Sequence, residues 1–234
     1  MSSLVQVSAA ICALSGWAGV STAQSSPSVR PGGAGVTAST PNLAGTWDAI
    51  TRSYRGIGAT TILSSDSTFT LVVGAMVDFK YKIDGKKITL FSNEAGRPPD
   101  TQGLTFIGGS PVFSGNGCSR KLKRLDPANT DSGLVGRWQS MHMTGVPAYE
   151  EYTADGWARL RVPLQVLKGS FSIAGNTVSF HSLSPRREEW SAPFTLKGDT
   201  LMFLIGGEEN KYLRARQLIP LDVQQPAPPA GLVC

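Results

Sequence analysis

The chain has 234 residues, a net charge of +5 and 17% charged residues, with 26 glycines and 15 prolines. This length allows one or two domains, and the mild charge does not favour a nucleic-acid-binding protein. Many glycines and prolines, with few long runs of charge, favour an all-β protein rich in turns and argue against a helical one.

The first 23 residues have the pattern of an export signal. The stretch from Leu4 to Val20 is apolar but too short and too often interrupted by polar residues to span a bilayer. Ser21-Thr22-Ala23 supplies the small residues that signal peptidase requires, although no Lys or Arg precedes Leu4. We expect cleavage after Ala23, a periplasmic or secreted protein, and no transmembrane span.

Three segments have the composition of linkers or flexible termini. Residues 24–41 contain mainly Ser, Pro, Gly, Ala and Thr, which predicts a flexible leader. Residues 126–133 are a dense group of turn formers and predict a linker, and residues 219–234 form a Pro-rich tail. These segments leave two units, residues 42–125 and residues 134–218.

The two units are copies of one pattern. Leu43, Gly45 and Trp47 return as Leu134, Gly136 and Trp138 at a shift of 91, and Tyr81, Ile83, Gly85 and Ile88 return as Phe171, Ile173, Gly175 and Val178 at a shift of 90. Near the end of each copy, Arg120 aligns with Arg214 at an offset of 94, which implies a short insertion in the second copy. The sequence therefore predicts a tandem duplication.

The shared positions alternate between apolar and polar residues, as half-buried strands do. In the second copy this pattern predicts eight strands: Arg137 to Met143, Glu150 to Thr153, Trp157 to Leu164, Gly169 to Ile173, Thr177 to Leu183, Glu188 to Leu196, Thr200 to Ile205 and Tyr212 to Leu218. Eight short strands joined by tight turns can close into a barrel that side chains fill or that holds one small ligand.

The first-strand sequences Gly45-Thr46-Trp47 and Gly136-Arg137-Trp138, each followed late in its copy by Arg120 or Arg214, resemble the signature of the calycin superfamily. The closest likeness is to the small bacterial lipocalin-like domain. The resemblance implies two tandem eight-stranded up-and-down antiparallel barrels. In each, the Trp closes the barrel floor and the late Arg of the same copy stacks on its indole, a contact that cation-π attraction favours.

Candidate ligand contacts lie in the second copy. Tyr149-Glu150-Glu151-Tyr152 places one Glu and one Tyr on each face of a strand. One carboxylate is therefore expected to enter the barrel mouth, where it must pair with a cation such as Arg159 or Arg161. We take Glu150, Tyr152, Arg159 and Arg161 as possible mouth contacts.

The sequence shows no pattern of residues typical of a catalytic site or a metal site. His142 and His181 lie in different predicted strands and are expected to face solvent if Met141 and Phe180 face inward. No Ser or Cys has a candidate base beside it, so we predict no catalytic residue, metal or cofactor. The basic run from Arg120 to Arg124 has no exposed aromatic residues beside it to stack bases, which disfavours a nucleic-acid partner.

Signal cleavage would leave Cys118 and Cys234. In an exported protein these two can form a disulfide, within one chain or between two, or stay as free thiols, and the sequence leaves these alternatives open.

Two functions fit these patterns. The resemblance to lipocalins implies an exported, non-enzymatic binding module for a small apolar ligand. The alternative is a scaffold with filled barrels that binds an envelope protein, as protease inhibitors of the calycin type do. The extent to which side chains fill the interior separates the two.

Overall fold

A computed structural model describes residues 41–53, 56–93, 96–115, 117–126, 133–184 and 187–226. The predicted signal at residues 1–23, nearly all of the predicted leader at 24–41, residues 127–132 of the predicted linker and residues 227–234 of the predicted tail lie outside this part.

Fifteen strands make up the fold of the described residues: β1 Gly45–Ala49, β2 Ile57–Leu63, β3 Thr68–Asp84, β4 Lys87–Ser92, β5 Asp100–Ile107, β6 Ser110–Gly115, β7 Cys118–Lys121, β8 Lys123–Arg124, β9 Gly136–Met141, β10 Pro147–Tyr152, β11 Trp157–Ala174, β12 Thr177–Ser184, β13 Glu188–Lys197, β14 Thr200–Ile205 and β15 Glu208–Ala215. They form one sheet in which all pairings are antiparallel. The prediction of an all-β, antiparallel fold is confirmed.

Two strands are much longer than the rest. β3 has 17 residues and β11 has 18, and the two pair with each other from Lys80 opposite Trp157 to Thr68 opposite Ser170. The predicted strands Trp157 to Leu164 and Gly169 to Ile173 are therefore parts of one strand, and the described part of the second copy has seven strands instead of eight. Gln165 to Lys168 contain no turn formers, so the chain has no local reason to reverse there.

The pairings trace two circuits that share the β3–β11 ladder. One runs β1–β2–β3–β11–β12–β13–β14–β15 and returns to β1, and we call it the Trp47 circuit. The other runs β3–β4–β5–β6–β7, continues through Leu122 into β8, and returns by β9, β10 and β11 to β3; we call it the Trp138 circuit.

Each circuit surrounds a core of its own. The core of the Trp47 circuit contains twelve buried residues: Leu43, Trp47, Leu63, Phe69, Leu167, Phe171, Val178, Phe180, Ala192, Phe194, Leu201 and Phe203. The core of the Trp138 circuit contains eight: Ile88, Leu104, Phe113, Leu122, Leu134, Trp138, Tyr152 and Ala158. Both sets alternate along their strands, because every second side chain of a strand points to the same face.

Both cores contain residues from both copies of the repeat. The Trp47 circuit combines β1, β2 and the start of β3 with strands of the second copy, and the Trp138 circuit combines the rest of the first copy with β9, β10 and the start of β11. The pairings therefore do not follow the predicted division into barrels at 42–125 and 134–218. β3 begins in the Trp47 circuit, where it pairs with β2, and ends in the Trp138 circuit, where it pairs with β4. β11 passes between the circuits in the opposite order, since it pairs first with β10 and then with β12.

Candidate functional site

Each first-strand indole is covered by an arginine from a neighbouring strand. The Cζ atom of Arg214 lies 4.3 Å from the ring centroid of Trp47, and Cζ of Arg124 lies 4.2 Å from that of Trp138. In both cases the two residues are direct partners in the strand register. Both indoles are fully buried, so each arginine shields the face of the ring that it covers, although the Arg214 side chain itself stays 37% exposed.

These partners differ from the predicted ones. The resemblance to lipocalins implied that each Trp stacks with the late Arg of its own copy, Trp47 with Arg120 and Trp138 with Arg214. In the structure Arg214 covers Trp47, because β15 pairs with β1, and Arg120 instead lies 5.0 Å from the ring of Phe113. Arg124 aligns with Arg214 at the shift of 90 that relates Tyr81 to Phe171, and the assumed insertion displaced this alignment by four residues.

The same contacts explain the glycine two residues before each Trp. Gly45 and Gly136 have φ angles of +144° and +138°. A Cβ atom on Gly136 would lie 2.8 Å from Nη1 of Arg124, and one on Gly45 would overlap Nη1 of Arg214. A glycine is needed there both for the backbone conformation and for the space that the guanidinium occupies.

Glu150 and Tyr152, two of the predicted mouth contacts, lie inside the Trp138 circuit. Glu150 is buried and forms an ion pair with Arg120, and its Oε1 accepts a hydrogen bond of 2.7 Å from the Ser140 hydroxyl. The Tyr152 hydroxyl donates to Oε2 at 2.7 Å. Burial and the Glu150 charge raise the pKa of Tyr152 well above its usual value, so the phenol keeps its proton. The inward carboxylate of the pair is therefore Glu150, and its cation is Arg120 instead of Arg159 or Arg161.

Arg161, the third predicted contact, lies on the outer side of the sheet and joins the two circuits. Its Nη2 donates to Oδ2 of Asp48 on β1 at 2.7 Å, and its Nη1 donates to Oδ1 of Asp78 on β3 at 2.8 Å. Arg52 donates to the other oxygen of Asp78, also at 2.8 Å. Burial opposes ionisation of Asp78, but Arg161 and Arg52 together hold its pKa below the ordinary value. Burial likewise opposes the charge of Arg161, but the two aspartates raise its pKa.

Glu151, which follows Glu150 in sequence, points to the same outer side as Arg161. It is 2% exposed, and its carboxylate lies 3.2 Å from Nη1 of Arg159 and 3.0 Å from Nη1 of Arg216. Its Oε1 is within ion-pair distance of Arg216 but accepts no hydrogen bond. Both carboxylates of the Glu150-Glu151 pair are thus buried, on opposite faces of β10. We call Asp48, Arg52, Asp78, Glu151, Arg159, Arg161 and Arg216 the junction cluster.

The two histidines lie apart. His142 is half-buried, with Nδ1 2.8 Å from the Thr144 hydroxyl, and burial followed by the charge of Arg120 lowers its pKa. His181 lies 3.3 Å from Glu189. The condition under which both histidines were expected to face solvent holds for Phe180, which is buried, and fails for Met141, which is 56% exposed.

A cleft of about 680 Å³ lies on the outer surface of the Trp138 circuit. One wall is the outer face of β9 and β10, with Arg137, Gln139, Pro147 and Tyr149, and the opposite wall is residues 217–220 and 222–226 of the chain. Burial, followed by the charge of Asp222, raises the pKa of the Tyr149 hydroxyl. The cleft is mixed in character, because prolines and aliphatic side chains line it together with an arginine and several amides.

The segment that forms the far wall is attached to β11. The side-chain amide of Gln225 accepts a hydrogen bond from Val166 N at 2.7 Å and donates to Leu164 O at 3.4 Å. These two bonds satisfy backbone groups of β11 that neither β10 nor β12 reaches. The pairing of β11 with β10 ends at Arg161, and its pairing with β12 begins at Lys168. Leu218, Ile219 and Val223 pack beneath with Tyr149 and Val166.

Cys118 is disulfide-bonded. The two other cysteines of the sequence, Cys12 and Cys234, lie outside the described residues. The predicted bond between Cys118 and Cys234 therefore stays a prediction.

Among the described residues, no group of three His, Cys, Asp or Glu side chains is placed to hold a metal ion. The same part of the chain has no helix with the length and apolar character needed to cross a membrane. Comparison of the sequence and the structure with protein-family models, curated proteins and solved structures found no match.

Proposed function

We propose that this protein is an exported, non-enzymatic binding protein of the calycin type. In this proposal each circuit is a small closed barrel with a filled interior, and the ligand binds in the outer cleft between β9–β10 and the C-terminal segment. The Gly-x-Trp strands with their stacked arginines support the likeness to lipocalins. The disulfide at Cys118 supports export, because disulfides persist mainly in oxidising compartments.

The packing of large side chains inside the circuits is the reason to place the ligand outside them. In the Trp47 circuit the ring of Phe180 lies 5.0 Å from Trp190, 5.1 Å from Phe69 and 6.0 Å from Phe203, measured between centroids. Such distances are those of rings in direct contact. This packing favours the second of the two sequence-based alternatives, filled barrels that act as a scaffold, over an apolar ligand held inside.

The cleft has the size and composition of a ligand site. Its volume of about 680 Å³ falls in the range of small-molecule sites, roughly 300–1,000 Å³. Pro147 and Pro220, both partly exposed, offer apolar surface, and the side-chain amide of Gln139 offers a hydrogen-bond donor and an acceptor. Tyr149 lies deeper, at 5% exposure, and Arg137 is held by Asp126 and Gln217 O. A partly apolar ligand with a few polar groups matches this lining.

The experiment is native mass spectrometry of protein purified from its own host, with the bound molecule released and identified. Gln139→Trp places a bulky side chain in the cleft and is expected to lower the bound fraction at least tenfold. Thr195→Trp is the matched control, since Thr195 is exposed on the outer face of β13, away from the cleft, and it is expected to bind normally. A ligand that still binds Gln139→Trp at wild-type level would exclude the cleft as the site.

A further inference from the structure

A second, much smaller cavity lies at the junction of the two circuits. Its volume is about 10 Å³, and three arginines line it: Arg159, Arg161 and Arg216. Asp48 and the hydroxyl-bearing Thr46 and Thr60 complete its polar wall. The Thr60 hydroxyl donates to Asp48 at 2.6 Å, and Asp48 also accepts from Arg161, so the one carboxylate in this wall is already compensated.

The charges around this cavity do not balance. The junction cluster contains four arginines but only three carboxylates, those of Asp48, Asp78 and Glu151. A further acid, Asp126, forms an ion pair with Arg137, and including both leaves the difference unchanged. One positive charge is thus left over. Part of it is shielded by water, because Arg159 and Arg216 are 41% and 63% exposed.

The volume of the cavity limits the size of the anion that can bind. A volume of about 10 Å³ is close to the roughly 10–15 Å³ that one water molecule requires. Phosphate, sulfate and carboxylate groups are too large. We propose that this cavity binds a single monatomic anion of the chloride type, which neutralises the surplus arginine charge where the two circuits meet.

The test compares thermal unfolding of the full chain in sodium chloride and in sodium gluconate at equal ionic strength, since gluconate is too large to enter. The wild type is expected to show a saturable rise in Tm of about 2–4 °C with chloride, the size of shift that about 1 kcal/mol of ligand binding gives in a protein of this length. Equal Tm values in the two salts would overturn the proposal.

Two variants separate site binding from a general salt effect. Arg216→Gln removes the surplus charge at the cavity and is expected to abolish the chloride response. Arg187→Gln makes the same charge change at an exposed position away from the cavity and is expected to keep it. A chloride response that persists in Arg216→Gln would overturn the proposal.

A crystal of the wild type soaked in sodium bromide provides an independent readout. The anomalous signal of bromide is expected between Arg159, Arg161 and Arg216. Bromide peaks confined to other surface positions would mean an adventitious ion only and would contradict the site.

Discussion

The buried charges of this protein are kept in place by specific partners on other strands. Arg161 is 4% exposed, and a guanidinium at that depth is strongly unfavourable unless its donors and its charge are matched. Asp48 from β1 and Asp78 from β3 match it, with Arg52 on the far side of Asp78. Because removing one member leaves the others unpaired in a poorly hydrated site, each member contributes more than a surface ion pair would.

The lowered pKa of Asp78 gives a prediction about pH. The folded state binds the proton at Asp78 less readily than the unfolded state, whose carboxyl has a pKa near 3.8. The stability that this ionised carboxylate contributes is therefore fully present above pH 3.8 and is lost as the pH falls through the lower, folded-state pKa. Asp78→Asn is expected to be less stable than wild type at pH 7, by about 1–3 kcal/mol, with a difference that shrinks below pH 4.

Urea unfolding between pH 2.5 and pH 7 measures this difference. Asp84→Asn is the matched control, because Asp84 is exposed at the end of β3 and has no arginine partner in the junction cluster. The role assigned to Asp78 would be wrong if the stability difference between wild type and Asp78→Asn stayed constant over this range.

At the scale of elements, the β3–β11 ladder is the one shared by both circuits. Gly74 on β3 faces the backbone of Val162 and Pro163, next to the register shift between Pro163 and Gln165. A Cβ atom on Gly74 would overlap the carbonyl of Val162 and lie 2.9 Å from its carbonyl carbon. Close approach of two backbones is a typical reason for glycine in a strand interior.

Gly74→Ala is therefore expected to destabilise the protein by about 1–3 kcal/mol, as overpacking at a rigid backbone contact does. Gly115→Ala on β6 is the matched control, since its Cβ would meet only the side chain of Gln102, at 3.5 Å, and a change within about 0.5 kcal/mol is expected. Equilibrium unfolding in urea compares the two. Equal stabilities for Gly74→Ala and wild type would show that the two long strands can move apart without cost.

At the scale of the whole molecule, three ladders among the described residues join the two copies of the repeat: β1 with β15, β3 with β11, and β8 with β9. Each core takes residues from both copies, so neither copy contains a complete core. The two copies are thus interdependent, unlike domains in a simple tandem arrangement, which have separate cores.

This arrangement predicts that the copies stay together when the connection between them is cut. A protease site introduced within residues 126–133 and cleaved in the folded protein, with reductant present, is expected to leave one particle that elutes at the intact size. It is also expected to unfold in a single transition, because separating the copies disrupts both cores. Gel filtration and calorimetry provide the measurements. Two folded fragments that elute separately would show that each copy is complete by itself.

The sequence alone determined the fold class and the repeat. Alternation of apolar and polar residues gave an all-β, antiparallel fold, since a strand exposes its two faces in turn and only one of them meets the core. The Gly-x-Trp pattern correctly marked two buried indoles. The shift of 90 that relates Tyr81 to Phe171 also relates Arg124 to Arg214, and this match was missed because Arg120 was aligned in place of Arg124.

Tertiary structure decided which strands are neighbours and what the charged residues contact. The alternation of apolar and polar residues in β1 fits a strand of its own copy as well as it fits β15 of the other copy, because both candidate partners have the same alternation. This alternation therefore does not predict which of them β1 pairs with. The partners of Arg161 are 113 residues away at Asp48 and 83 residues away at Asp78, and no spacing rule relates them. The exchange of strands between the copies, the junction cluster and the outer cleft follow from long-range packing, which sequence periodicity does not encode.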